Sequence, residues 1–212
     1  MRKLPVYLLL DTSGSMHGEP IEAVRNGMQT LLSALRQDPH ALESAWLSVI
    51  TFAETARQVT PLTELVQFQL PELKASGTTS MGAALKLLAE RATAEVAKTS
   101  ADQKGDWKPI VFMMTDGEAT DDLADGIQAL KAARIGTIVA CAAGPNANVA
   151  QLQRITESVV RLDTADSNTI RAFFKWVSAS IATTSQKVDL TKKEASGLGD
   201  LPPPPPEVNV VL

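Results

Sequence analysis

Residues 5–16 read Pro5-Val6-Tyr7-Leu8-Leu9-Leu10-Asp11-Thr12-Ser13-Gly14-Ser15-Met16, and the change of character at Asp11 decides the fold. Pro5 to Leu10 is a continuous apolar run, too short for a helix and without polar alternation, as a strand buried on both faces requires. At Asp11 the chain switches to carboxylate, hydroxyl and glycine, the composition of a loop leaving a strand end. A helical stripe follows at Ile21, Val24, Met28, Leu31, Leu32 and Leu35. Pro20 lies in its first turn, where a missing N–H costs nothing, and Pro39 lies beyond its end. A doubly buried strand that feeds an amphipathic helix is the start of a layered α/β sheet.

The same alternation continues outward. Ala45–Phe52 reads as a second strand and Ala56–Thr60 as a third, joined by Glu54-Thr55. So short a link favours an antiparallel pair, because a parallel crossover needs about a dozen residues. Met81, Leu85, Leu88, Ala92 and Val96 mark a helix that ends in the polar stretch Lys98–Lys108. Strands are then predicted at Ile110–Met114, Gly136–Ala142 and Val159–Leu162, separated by helices through Leu123, Ile127 and Leu130 and through Val149, Leu152 and Ile155. A last helix carries Ile170, Phe173, Phe174, Val177 and Ile181, with Ser167 as its N-cap. The pattern predicts an α/β domain over residues 1–185, with a mostly parallel sheet covered by helices on both faces.

The periodicity stops near Thr184, and residues 186–212 read as a flexible Pro-rich tail. Pro202–Pro206 imposes a polyproline II rod. The tail is expected to act as a spacer or to dock on a partner's aromatic-lined groove. Its end, Val208–Leu212 (VNVVL), is β-prone and suited to adding a strand to a neighbour's sheet edge.

Composition narrows the function. The chain has 212 residues, 44% of them hydrophobic and 21% charged, which suffices for a full core and excludes wholesale disorder. Lys+Arg total 20 against 24 Asp+Glu, with no basic run, so no nucleic-acid partner is expected. Cys141 is the single cysteine, which rules out an intrachain disulfide and a Cys-rich zinc site, and it reads as a small core residue, as does the Met113-Met114 pair. His17 and His40 are too few for a histidine metal centre. No stretch approaches the ~20 apolar residues of a membrane helix. Met1-Arg2-Lys3-Leu4 superficially resembles a signal peptide, but the apolar run ends at Asp11 without a cleavage site. The expectation is a soluble, cytoplasmic protein with no membrane partner.

Three segments stand where a strand should give way to a loop or a helix should begin: Asp11-Thr12-Ser13-Gly14-Ser15-Met16, Gly77-Thr78-Thr79-Ser80 and Thr115-Asp116-Gly117-Glu118. In doubly wound sheets, ligands collect outside the carboxyl ends of the strands where the strand order reverses. If the first and fourth strands are neighbours there, about 4.8 Å apart, Asp11 and Asp116 face one pocket. Two carboxylates so close repel unless a cation lies between them. A shell of hydroxyls and carboxylates without imidazole or thiol suits Mg²⁺, with Mn²⁺ and Ca²⁺ as alternatives, rather than Zn²⁺ or Cu²⁺. The alternate spacing of Asp11, Ser13 and Ser15 turns three side chains toward one ion, and Gly14 permits the tight turn.

These residues resemble a known family. DTSGSM (residues 11–16) has the D-x-S-x-S form of the metal-ion-dependent adhesion site of von Willebrand factor A domains. GTTSMGAAL (77–85) is similar to the family's threonine segment and MMTDGEATD (113–121) to its aspartate segment. The resemblance implies a Rossmann-like six-stranded sheet ordered 3-2-1-4-5-6 with strand three antiparallel. It implies a metal shell of Asp11, Ser13, Ser15, Thr79 and Asp116, with Thr79 preferred over Thr78 for its spacing to Leu85. It also implies a protein partner whose Glu or Asp completes the coordination of the metal. Met16, His17, Ser80 and Glu118 are the expected partner-binding rim. Within the family, the chain looks most like bacterial TerY-type proteins of tellurite-resistance and stress-response loci, some of which occur beside a protein kinase and a PP2C-type phosphatase.

No catalytic residue is expected. The D-x-D arrangement of phosphatases is missing because Ser13 follows at the second position, and no Walker loop occurs. The alternatives are a metal-dependent phosphoryl-transfer enzyme and a scaffold whose metal is structural and whose tail makes the contacts. Asp121 and Asp122 read as caps of the next helix.

Overall fold

The computed structural model describes residues 2–190 and 194–211; Met1 and Leu212, the ends of two stretches quoted above, lie outside the described residues. The strands are β1 (Leu4–Asp11), β2 (Ala45–Phe52), β3 (Ala56–Glu64), β4 (Ile110–Thr115), β5 (Thr137–Ala143), β6 (Val159–Leu162) and β7 (Asn209–Val210). The helices are α1 (Glu19–Leu35), α2 (Pro39–Ser44), α3 (Met81–Glu95), α4 (Ala124–Ala132), α5 (Val149–Ile155) and α6 (Ser167–Leu190). One seven-stranded sheet has the order β3-β2-β1-β4-β5-β6-β7. The pairs β1–β2, β1–β4, β4–β5 and β5–β6 are parallel, while β3 and β7 run antiparallel on the two edges.

Alternation along the strands divides the interior into two cores. Leu4, Val6, Leu8 and Leu10 of β1 point to the face covered by α1 and α6. Tyr7 and Leu9 point to the face covered by α3 and α4. On the first face α1 and α6 approach so closely that a Cβ on Gly27 would lie 2.4 Å from the Phe174 ring. Cys141 is buried, and burial pushes its thiol pKa up, which fits a small core residue.

The expected six strands are present, and the structure adds detail that the periodicity misses. β3 extends to Glu64 through Pro61, which an edge strand tolerates because its outer side needs no N–H donor. Pro39 begins α2 instead of merely following α1, with Asp38 accepting from Ala41 N at 2.8 Å. The N-cap of α6 is Asp166, not Ser167: Asp166 Oδ1 accepts from Asn168 N at 2.9 Å and Thr169 N at 3.0 Å. Ser167 is the first helical residue and instead donates through N and Oγ to Glu19 Oε1.

The largest difference concerns residues after Thr184. α6 continues to Leu190. Ser180, Thr184 and Ser185 of this helix are buried, so its inner face carries small hydroxyls that a hydropathy pattern discounts. The segment expected to trail freely lies along the domain. Thr137 Oγ1 donates to Ala195 O at 3.0 Å, and Trp176 Nε1 donates to Pro202 O at 2.8 Å. Leu201 and Val208 are buried in the core shared with α1 and α6. The strand expected to join a neighbour's sheet pairs with the chain's own β6, Val160 opposite Val210 and Arg161 opposite Asn209. A proline run has carbonyls but no N–H groups, so it can accept from an indole while making no ladder of its own.

Because Val208 is only 3% exposed, Val208→Ala is expected to lower the unfolding free energy. The loss should be about 1–2 kcal/mol in a urea titration, whereas a segment trailing in solvent would give no change.

Candidate metal-binding site

The strand order reverses between β1 and β4, and the loops leaving these two strands carry the expected carboxylates. Asp11 ends β1 and is 1% exposed. Its Oδ1 accepts from Ser13 N at 2.8 Å, and its Oδ2 accepts from Thr115 Oγ1 at 2.5 Å. The first bond closes a turn that brings Ser13 back over the strand end. The second ties Asp11 to the last residue of β4. Asp116, the next residue, is also buried, and its Oδ1 accepts from Ser15 Oγ at 2.6 Å. Ser15 Oγ lies 3.0 Å from Ser13 Oγ. Asp11, Ser13, Ser15 and Asp116 therefore form one continuous polar cluster.

Thr79 completes it. It is buried, whereas Thr78 is exposed. A Cβ built on Gly117 would lie 3.9 Å from Ser15 Oγ and 4.0 Å from Thr79 Oγ1, which places both hydroxyls around the Asp116-Gly117 turn. The threonine segment is held by Gly77, whose φ of +75° is a left-handed conformation suited to glycine. Gly77 O accepts from Gly14 N at 2.9 Å. Gly14 itself has no positive φ; its bare Cα matters because a Cβ there would lie 3.3 Å from Gly77 O.

The loop after β4 is tied to the start of α3. Thr120 N donates to Thr79 O at 2.9 Å, and Thr79 N donates to Thr120 Oγ1 at 3.1 Å. Asp121 Oδ1 accepts from Gly82 N at 2.9 Å and Oδ2 from Ala83 N at 2.8 Å. Asp121 thus caps α3, not the helix that follows it; only Asp122 serves α4, accepting from Ala124 N at 2.8 Å. Sequence reading misses Thr115, Thr120 and the true target of Asp121, because the partners lie far away along the chain.

The rim needs one correction. Met16 is 0% exposed and belongs to the core against α1, because the turn over Gly14–Met16 drives its side chain inward. His17 and Glu118 are exposed and Ser80 is half-buried. Ser80 Oγ donates to Glu54 O at 2.9 Å, and Glu118 Oε1 accepts from Asn148 Nδ2 at 3.0 Å.

Burial pushes the Asp11 carboxyl above the usual carboxylate range; hydrogen bonds from Ser13 and Thr115 oppose the rise and the charge of Asp116 adds to it. Burial likewise raises Asp116, opposed by the Ser15 hydroxyl. Among the described residues, no Lys, Arg or His pairs with either carboxylate. No group of three or more His, Cys, Asp or Glu that could hold a metal converges among them, so the cluster's other oxygens are hydroxyls. The donor set is hard oxygen throughout, which fits Mg²⁺, Mn²⁺ or Ca²⁺.

The family model for the von Willebrand factor type A domain matches residues 6–176. The chain belongs to this family. This von Willebrand factor A domain is 32% identical over 144 residues to the uncharacterized protein sll0103 of Synechocystis sp., matching 65% of this chain and 30% of that protein, so it spans about a third of that relative's length. Among solved structures, it resembles a von Willebrand factor type A protein from Catenulispora acidiphila with a TM-score of 0.63 at 20% identity, covering 86% of this chain and 43% of the other. It also resembles proximal thread matrix protein 1 of the mussel byssus, solved with a zinc-occupied MIDAS motif, with a TM-score of 0.61 at 20% identity over 85% of this chain and 48% of the other. At these identities the structural likenesses establish the fold. No helix among the described residues is long and apolar enough to cross a membrane.

The raised carboxyls give a pH dependence of definite sign. Their folded-state pKa values exceed the unfolded ones, so their contribution to stability is full below the ordinary carboxylate range and is lost as pH rises through the raised values. In EDTA, Asp116→Asn is expected to raise the thermal midpoint at about pH 7 more than at about pH 3, below the ordinary carboxylate range. Equal shifts at both would show that burial of this charge is not the cause.

Proposed function

We propose that the protein is a non-enzymatic, metal-dependent interaction module in which Asp11, Ser13, Ser15, Thr79 and Asp116 hold Mg²⁺, with Mn²⁺ or Ca²⁺ as substitutes. The observation that supports this most directly is the pair of buried carboxylates, ringed by hydroxyls and without a cationic side chain among the described residues, at the sheet's strand-order reversal. A divalent ion supplies there the positive charge that the cluster lacks and a coordination position for an outside oxygen. The chain's own residues do the rest. Thr115 and the Ser13 amide orient Asp11, Ser15 spans the two loops, and the buried setting strengthens every charge interaction in the cluster.

An incoming Asp or Glu of a protein partner fits this reading, because the ion offsets the two site carboxylates that would otherwise repel it. His17, Ser80 and Glu118 each follow a cluster residue closely in the chain and are at least partly exposed, and they are the residues proposed to distinguish partners. The cluster's carboxylates and hydroxyls are committed to one another, an arrangement suited to holding a cation rather than to moving protons. The setting we propose is a cytoplasmic bacterial tellurite-resistance or stress-response assembly, with a protein kinase or PP2C-type phosphatase as the partner class. That setting rests on the likeness of residues 1–16 and 76–85 to TerY-type chains.

Calorimetric titration of Mg²⁺ into EDTA-treated protein tests the site. Wild type should show one binding event and Asp11→Ala none. Thr79→Ala should weaken binding about tenfold or more, while Thr78→Ala should match wild type. Near-identical binding by wild type and Asp11→Ala would defeat the proposal.

A further inference from the structure

The metal-site residues come from three separate stretches, and sheet pairing fixes only two of them. Asp11 and Asp116 leave adjacent strands, with Leu10 opposite Met114 in the β1–β4 ladder. Thr79 has no strand beneath it. It lies on the segment that enters α3, and its place relative to Asp116 depends on what ties that segment down.

Four hydrogen bonds do so from one side. Thr120 and Thr79 exchange a bond in each direction, N to O at 2.9 Å and N to Oγ1 at 3.1 Å. Asp121 takes the Gly82 and Ala83 amides, one on each carboxylate oxygen, at 2.9 and 2.8 Å. These amides belong to the first turn of α3, where N–H groups have no partner within the helix and a negative charge is favoured. The fit leaves no slack. A Cβ on Gly82 would lie 2.1 Å from Asp122 O, and one on Gly126 would lie 2.5 Å from Gly82 O. The loop bearing Asp116 and the helix start bearing Thr79 are therefore clasped at van der Waals contact, with Thr120 and Asp121 as the polar fasteners.

We propose that Thr120 and Asp121 are positioning residues of the metal site: by clasping the Thr79 segment to the Asp116 loop, they set the metal affinity without touching the metal. This rests on the metal-binding reading above. It goes further by assigning a role to residues outside the metal shell, and it separates Asp121 from its neighbour Asp122, whose bond to Ala124 N serves α4 alone.

Thr120 is exposed, so substitutions there test the clasp with little risk to the fold. Calorimetric Mg²⁺ titration should show Thr120→Val weakened about threefold or more, with Thr120→Ser restored to the wild-type value because the hydroxyl acceptor is retained. Asp121→Ala should weaken binding about tenfold or more, and Asp121→Asn, which keeps one acceptor, should fall between. Asp122→Ala should lower the thermal midpoint in EDTA yet bind Mg²⁺ as wild type does. A purely structural role for Asp121 would move the midpoint and leave the affinity alone. Wild-type binding with unchanged affinity in Thr120→Val and Asp121→Ala would overturn the clasp and leave the metal site standing. Failure of wild type to bind would overturn both. If Asp121→Ala does not fold, the Thr120 pair and Asp121→Asn decide the question.

Discussion

The side-by-side pairing of β1 and β4 is the constraint on which the rest of this molecule depends. It brings the end of one fully buried strand next to the end of another, and each ends on or just before an aspartate. Taking two carboxylates out of water is unfavourable, and the proximity of a second charge adds to the penalty at Asp11. The hydroxyls of Thr115 and Ser15 and the Ser13 amide compensate in part. They satisfy oxygens but bring no positive charge. A site with this imbalance suits a hard cation better than any neutral occupant.

The remaining architecture anchors that site at one end of the sheet. Helices on both faces bury the strands along their length, so the loops at the carboxyl ends are anchored at their roots. On the face of α1 and α6, part of the cover is supplied by a proline-rich strap that ends as a short edge strand. Both edge strands, β7 and β3, run antiparallel to their neighbours. At the opposite edge from the strap, β3 carries Pro61, which interrupts the row of donors that another strand would use.

Family membership and site chemistry make separate contributions to the functional reading. The match over residues 6–176 assigns the chain to the von Willebrand factor A family and accounts for the sheet. What the cluster can hold follows from its own donors: two carboxylates and three hydroxyls from three loops, with no imidazole or thiol. The single correction within the expected rim, Met16, follows from local geometry, since the turn that aims Ser13 and Ser15 at the cluster turns the next side chain into the core.

Strand and helix identity were legible in the chain because burial on two faces leaves uninterrupted apolar runs and burial on one leaves a helical stripe. The Asp11–Ser15 and Thr115–Asp116 segments were legible too, since each combines strand-ending residues with ligand chemistry inside a few positions. What sequence could not convey was which distant groups satisfy one another. Asp121 stands three residues before α4 yet caps α3, Thr120 holds Thr79, and Asp166 rather than Ser167 caps α6. The strap was hidden for the same reason: a proline run has no periodicity, and its anchoring at Trp176 and β6 uses contacts between residues far apart in the chain. Local pattern encodes how a segment hides its apolar side. Hydrogen-bond partners across loops are decided only when packing brings them within about 3 Å of each other.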